Sequence, residues 1–137
     1  MINRIVDNII IEVSEPADNA RVVYSAREML EKMGFEETSQ YLIASAVSEL
    51  STNIIRYGQK GVIFLQIVHD GSKTGFEVIA KDQGPGINDI EEALKENVSS
   101  GGGLGLGLPS VKRIMDEFQI ETSPENGTKI VARKWID

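Results

Sequence analysis

Glu49-Leu50-Ser51-Thr52-Asn53-Ile54-Ile55-Arg56-Tyr57 is the stretch on which the reading of this 137-residue chain turns. At about 100° per residue around a helix, Leu42, Ile43, Ala46, Val47, Leu50 and Ile54 fall in one apolar sector. Glu49 and Asn53 lie one turn apart at the border of that sector, and Tyr57 extends the row. A carboxylate and a carboxamide at the edge of a core stripe cost desolvation unless something satisfies them. Alone, a Glu-x-x-x-Asn spacing describes a solvated helix edge, so its meaning depends on the rest of the chain.

Working outward, Thr38 or Ser39 is placed to cap this helix, which runs to about Tyr57 and is broken by Gly58-Gln59-Lys60-Gly61. Upstream, the β-branched run Ile5 to Val13 reads as a strand. Ser14-Glu15-Pro16 then opens a helix with Val22, Val23, Ala26, Met29, Leu30 and Met33 at helical spacing, closed by Gly34. Downstream, Val62 to Val68 and Phe76 to Lys81 read as strands joined by the turn Asp70 to Gly75, a hairpin. Asp89 to Glu96 reads as a short acidic helix. Pro109 opens a helix carrying Val111, Ile114, Met115 and Phe118. Phe118 to Thr122 and Thr128 to Trp135 close the chain as strands around Pro124-Glu125-Asn126-Gly127. Strands come in pairs and do not strictly alternate with helices. The pattern predicts an α+β two-layer sandwich, with helices on one face of a mixed, largely antiparallel sheet, in a single domain over residues 1–137.

Composition removes several function classes. A net charge of −7 argues against broad phosphate-backbone contact with nucleic acid. Without cysteine there is neither a disulfide framework nor a thiolate metal site, which suits a reducing cytoplasm. The lone His69 sits by the hairpin turn and cannot build a zinc site by itself. No apolar run approaches the roughly 20 residues that cross a bilayer, so no membrane partner is expected. Ile9-Ile10-Ile11 is too short for a signal sequence, with Asp7 and Glu12 at its flanks.

Three further motifs carry chemistry. Asp82-x-Gly84-x-Gly86 follows a strand directly: an aspartate there can accept from an exocyclic amine, and the glycines let backbone approach a flat ring. By itself the pattern is also a plain strand-exit turn. Gly101 to Gly107 holds five glycines in seven residues and abuts a helix. Bare N–H groups there can cradle phosphate oxygens, and the same composition describes a surface loop. The run has neither the P-loop spacing nor its lysine, and it is not a dinucleotide fingerprint after a first strand. Gly127-Thr128 starts the last strand. Its hydroxyl could support Asp82 if the two strands are neighbours.

Together, Glu49…Asn53, Asp82-x-Gly84-x-Gly86, the Gly101–Gly107 run and Gly127-Thr128 resemble, in order, the N, G1, G2 and G3 boxes of the GHKL ATPase/kinase superfamily, whose ATP-binding domain is the Bergerat fold. The chain shows no dimerisation helix pair with a phospho-acceptor histidine and no transducer domain. It is therefore similar to the small bacterial serine/threonine kinases and anti-sigma factors of partner-switching systems. The stretches Asp82 to Ile87 and Gly102 to Phe118 look most like the kinase that switches the stressosome. That resemblance implies ATP and Mg²⁺ as cofactors, a STAS-domain scaffold or antagonist protein as substrate, a PP2C-type phosphatase as second partner, and a cytoplasmic role in stress response.

The resemblance also implies roles. Glu49 would orient or deprotonate the attacking hydroxyl, and Asn53 would bind Mg²⁺. Asp82 would read the adenine amine, with Thr128 behind it, and Gly84 and Gly86 would shape the base pocket. Gly103, Leu104, Gly105, Leu106 and Gly107 would form a lid on the phosphates. Arg56 reads as solvated, and Tyr57 stands where several relatives have histidine. Two rival outputs remain: sequestration of a partner, as by an anti-sigma factor, and free ATP hydrolysis.

Overall fold

In the computed structural model, residues 4–86 and 107–136 are described. They form β1 (Arg4–Val13), α1 (Pro16–Met33), α2 (Glu37–Asn53), a π-helical turn (Ile54–Gly58), β2 (Gly61–Asp70), β3 (Lys73–Asp82), α3 (Leu108–Ile114), β4 (Glu117–Ser123) and β5 (Gly127–Ile136). The acidic segment Asp89 to Glu96 and the glycine positions before Gly107 lie outside the described residues.

The five strands run in the order β1-β2-β3-β5-β4, and each ladder among the described residues is antiparallel. The strand period of two turns alternate residues to one face. Register then aligns Ile11, Ile63, Ala80, Ile130 and Ile120 across the sheet, with Leu65, Val78 and Ala132 beside them. This apolar face meets Val22, Ala26, Leu30, Ile43, Val47, Leu50 and Ile54 from α1, α2 and the π-turn, together with Leu108 and Val111 of α3. On the opposite face a polar row crosses the sheet. Gln66 donates to Glu77 at 2.6 Å, Glu77 accepts from Arg133 Nε at 2.8 Å, and Arg133 also reaches Glu117. Both ends of that row are satisfied, so buried Gln66 and Glu77 cost little.

The helix α1 starts as its sequence suggests. Pro16 occupies the first turn, and the Asp18 carboxylate reaches back to the N–H groups of Ser14 and Glu15 at 2.9 and 3.0 Å. Those two donors hold the Asp18 pKa below its ordinary value. Gly34 ends α1 at φ 94°, a left-handed conformation that costs a glycine nothing.

Three expectations need correction. The start of α2 is at Glu37 with Glu36 as cap, ahead of Thr38 and Ser39, because buried Gln40 turns back and donates to the Phe35 carbonyl at 2.9 Å. Leu42 is 50% exposed, since its bearing is that of the Glu49 and Asn53 row and not of the stripe centre. The helix opened by Pro109 stops at Ile114. Met115 is extended, and Phe118 pairs with Ala132 as part of β4, so tertiary pairing overrides the helical spacing.

Candidate functional site

Asp82 is two residues beyond Ala80, so the strand period turns it toward the helix layer at the end of the sheet. Its partner across the ladder is Gly61, which offers no side chain to fill that end. Asp82 Oδ1 accepts from the backbone N–H of Gly84 at 2.9 Å and from that of Thr128 at 3.3 Å. Thr128 therefore supports Asp82, but through its backbone. The hydroxyl expected to do so is 2.8 Å from the hydroxyl of Thr122, its cross-strand partner. Thr122 is missed by a reading of motifs one at a time. Its signal was the register of the last hairpin, which pairs it with Thr128.

The π-helical turn brings the end of the α2 row to the same place. Leu50, Asn53, Ile54, Tyr57 and Gly58 line a cleft whose other wall is Ala80, Asp82, Gly86, Thr128 and Ile130. Residues from the first, second and fourth boxes thus meet, with apolar walls between a carboxamide and a carboxylate. Gly84 lies behind this surface, buried against the backbone of Tyr57 and Gly58. Tyr57 is 46% exposed on the cleft rim, and Arg56 is exposed.

Glu49 is half-buried one turn before Asn53. Its carboxylate lies against Gly107, the left-handed residue at φ 66° that precedes α3, where an added Cβ would strike Oε2. The last glycine of the third box is therefore brought to Glu49. Gly103, Leu104, Gly105 and Leu106 fall outside the described residues. A larger hollow of about 830 Å³ lies between α1 and α2, and it contains no box residue.

Residues 13–134 match the family model of the histidine kinase-like ATPase domain. The chain belongs to this family. The histidine kinase-like ATPase fold explains why the first, second and fourth motifs, spread from α2 to β5, meet at one end of the sheet, with the last glycine of the third beside Glu49. Among relatives, the chain is 46% identical over 110 residues to the serine/threonine-protein kinase RsbT of Bacillus subtilis, covering 80% of this chain and 83% of that one. It is 35% identical to the anti-sigma F factor of Thermoanaerobacter sp. (strain X514), over 69% of this chain and 68% of the relative. A chain in the crystal structure of the SiaB–SiaC complex from Pseudomonas aeruginosa superposes with a TM-score of 0.56 at 13% identity, over 97% of this chain and 91% of its own. That last likeness is one of fold. Among the described residues, no helix is long and apolar enough to cross a membrane.

Proposed function

We propose that this chain is an ATP- and Mg²⁺-dependent protein serine/threonine kinase acting on a STAS-domain scaffold or antagonist protein in a bacterial stress-signalling partner switch. The observation that carries the reading is the cleft in which Asn53, Asp82, Gly86 and Thr128 meet, with Glu49 one helical turn away. The 46% identity to a serine/threonine-protein kinase supports the choice of reaction.

The residues fit the cofactors chemically. Leu50, Ile54, Ala80 and Ile130 offer apolar walls to a flat ring. Asp82 accepts a hydrogen bond from the exocyclic amine of adenine, steadied by the N–H groups of Gly84 and Thr128. Gly86 lines the base pocket without a side chain, and Gly84 shapes it from behind by letting its backbone pack on Gly58. Asn53 offers a hard oxygen to Mg²⁺, an ion that takes few protein ligands beside phosphate oxygens and water. Gly103, Leu104, Gly105, Leu106 and Gly107 would serve as the lid on the phosphates. When bound, Mg-ATP would supply the phosphoryl group with its charge neutralised. Glu49 orients the acceptor hydroxyl and holds its proton at the carboxylate.

In this reading residues 1–137 act as one kinase domain in the cytoplasm, with a PP2C-type phosphatase as second partner and no nucleic acid or membrane contact. A second reading, sequestration of a partner by a nucleotide-gated switch, is favoured by the 35% identity to an anti-sigma F factor. Pull-down of STAS-domain proteins with Mg-ATP, followed by mapping of phosphoserine and phosphothreonine on the captured protein, separates the two. Phosphate on the captured protein supports the kinase; ATP-dependent capture without phosphate supports sequestration.

A further inference from the structure

Gly58 sits between two unusual turns. Before it, the α-helix gives way to the π-helical turn Ile54–Gly58, a geometry that is rare and concentrated at functional sites. After it, Gln59 has φ 70° and ψ −62°, and the N–H of Lys60 donates to the Gly58 carbonyl at 2.8 Å. That is a γ-turn of the strained hand, held by a residue that is not glycine. Two uncommon conformations meet at one residue, so the position of that residue is what they secure.

The surroundings of Gly58 say what the position serves. A Cβ on Gly58 would lie 2.6 Å from both Cβ and Cγ of Asp82 and 2.7 Å from its Oδ2. A Cβ on Gly84 would lie 2.7 Å from the Cα of Gly58 and from the Tyr57 carbonyl oxygen. The two glycine backbones thus face each other, and the partly buried Asp82 side chain is seated against Gly58 at the cleft. Oδ1 is held by the N–H groups of Gly84 and Thr128, and the Oδ2 side rests on bare Gly58. The carboxylate cannot swing toward the helix, and it has room only because position 58 carries no side chain.

We propose that Gly58 is a positioning residue that determines base specificity: its missing side chain seats the Asp82 carboxylate where it can read a purine's exocyclic amine. The inference rests on the base-pocket reading of Asp82 above. A methyl group at position 58 displaces the carboxylate while leaving the apolar walls and the phosphate end unchanged. Its effect therefore differs between purines with and without the amine.

The test measures affinity for Mg-ATP and Mg-ITP, whose ring bears an oxygen in place of the amine, by calorimetry on the full chain. The parent protein binds ATP more tightly than ITP; equal affinities would defeat the base-pocket reading itself. Gly58→Ala lowers ATP affinity by about tenfold to a hundredfold, moves ITP affinity far less, and brings the ratio toward one. A folded Gly58→Ala protein that keeps the parent ratio overturns the role of Gly58 and leaves the pocket standing. The double variant Gly58→Ala/Asp82→Gly removes the three atoms nearest the methyl. It folds as well as Asp82→Gly alone, with the same residual affinity, as a double-mutant cycle requires of a coupled pair. If Gly58→Ala fails to fold and the double variant also fails, the collision is not with Asp82 and the proposal falls.

Discussion

At one end of the cleft Asp82 is held by backbone: two N–H groups on Oδ1, a bare glycine on the other side, and a glycine across the ladder. At the other end, Asn53 and Glu49 stand on consecutive turns of α2, and Glu49 lies against the glycine before α3. The first end is a fixed socket and the second a set of side chains. A backbone-built socket tolerates changes in side-chain chemistry around it but not added atoms. A side-chain end tolerates changes of the same shape but loses its chemistry with them. Recognition and transfer should therefore fail separately.

The largest loss is expected at the side-chain end. If Asn53 holds the metal, Asn53→Ala lowers Mg-ATP affinity at least about 100-fold, the upper end of what even an outer-shell partner is worth to a metal site. Titration with Mg-ATP and with metal-free ATP checks this, because the metal-free nucleotide is affected far less. A parallel loss in both would place Asn53 with the socket.

Asp82→Ala comes next. It lowers ATP affinity by about tenfold to a hundredfold, the worth of a hydrogen bond to a charged acceptor. It also narrows the preference for ATP over GTP, whose ring presents an acceptor to the carboxylate. Competition binding of the two nucleotides reads both effects. An unaltered preference would remove Asp82 from base recognition.

A smaller effect belongs to Thr128→Val. The hydroxyl pairs with Thr122, and the N–H that supports Asp82 survives the change. ATP affinity falls by less than about fivefold, within the worth of one neutral hydrogen bond. A loss as large as that of Asp82→Ala would mean that the hydroxyl, not the backbone, supports the socket.

The smallest effect lies outside the cleft. The Asp18 pKa is lowered below its ordinary 3.8 by the N–H groups at the start of α1. The folded state thus binds this proton less readily than the unfolded one. The stabilisation is complete above the unfolded value and fades as pH falls through the lowered one. Asp18→Ala lowers Tm at pH 7, and the gap to the parent closes as the pH drops below 3.8. Thermal melts of both proteins across pH 2 to 7 would show it, while ATP affinity at pH 7 stays unchanged because the cleft is not touched.

The contrast between the two ends also explains what could be read in advance. Period and spacing were enough for the sheet, since Ile63, Leu65, Val78, Ala80, Ile130 and Ala132 alternate as inward residues must. The Glu49 and Asn53 row was legible because side chains on a helix obey a fixed angle. The socket was half legible: Asp82, Gly84 and Thr128 stood out as motifs, but the atoms that join them did not. Backbone N–H groups leave no mark in a sequence, so the hydroxyl of Thr128 was credited with what its N–H does. Gly58 was readable only as a helix breaker, because a π-helical turn has no compositional signature. Leu42 and Phe118 went astray where helical spacing competed with packing and strand pairing.

If the cleft transfers a phosphoryl group, Glu49 acts in transfer and not in binding. Glu49→Gln keeps the size of the side chain and cannot take a proton. The measurement is labelled γ-phosphate moved to a STAS-domain partner, with ATP affinity determined beside it for parent and variant. Glu49→Gln should bind ATP and partner like the parent while transfer falls by about 10²–10⁴-fold, the usual worth of a positioned base. A parent protein that binds the partner in an ATP-dependent way and transfers nothing to it would exclude the kinase and leave sequestration as the output.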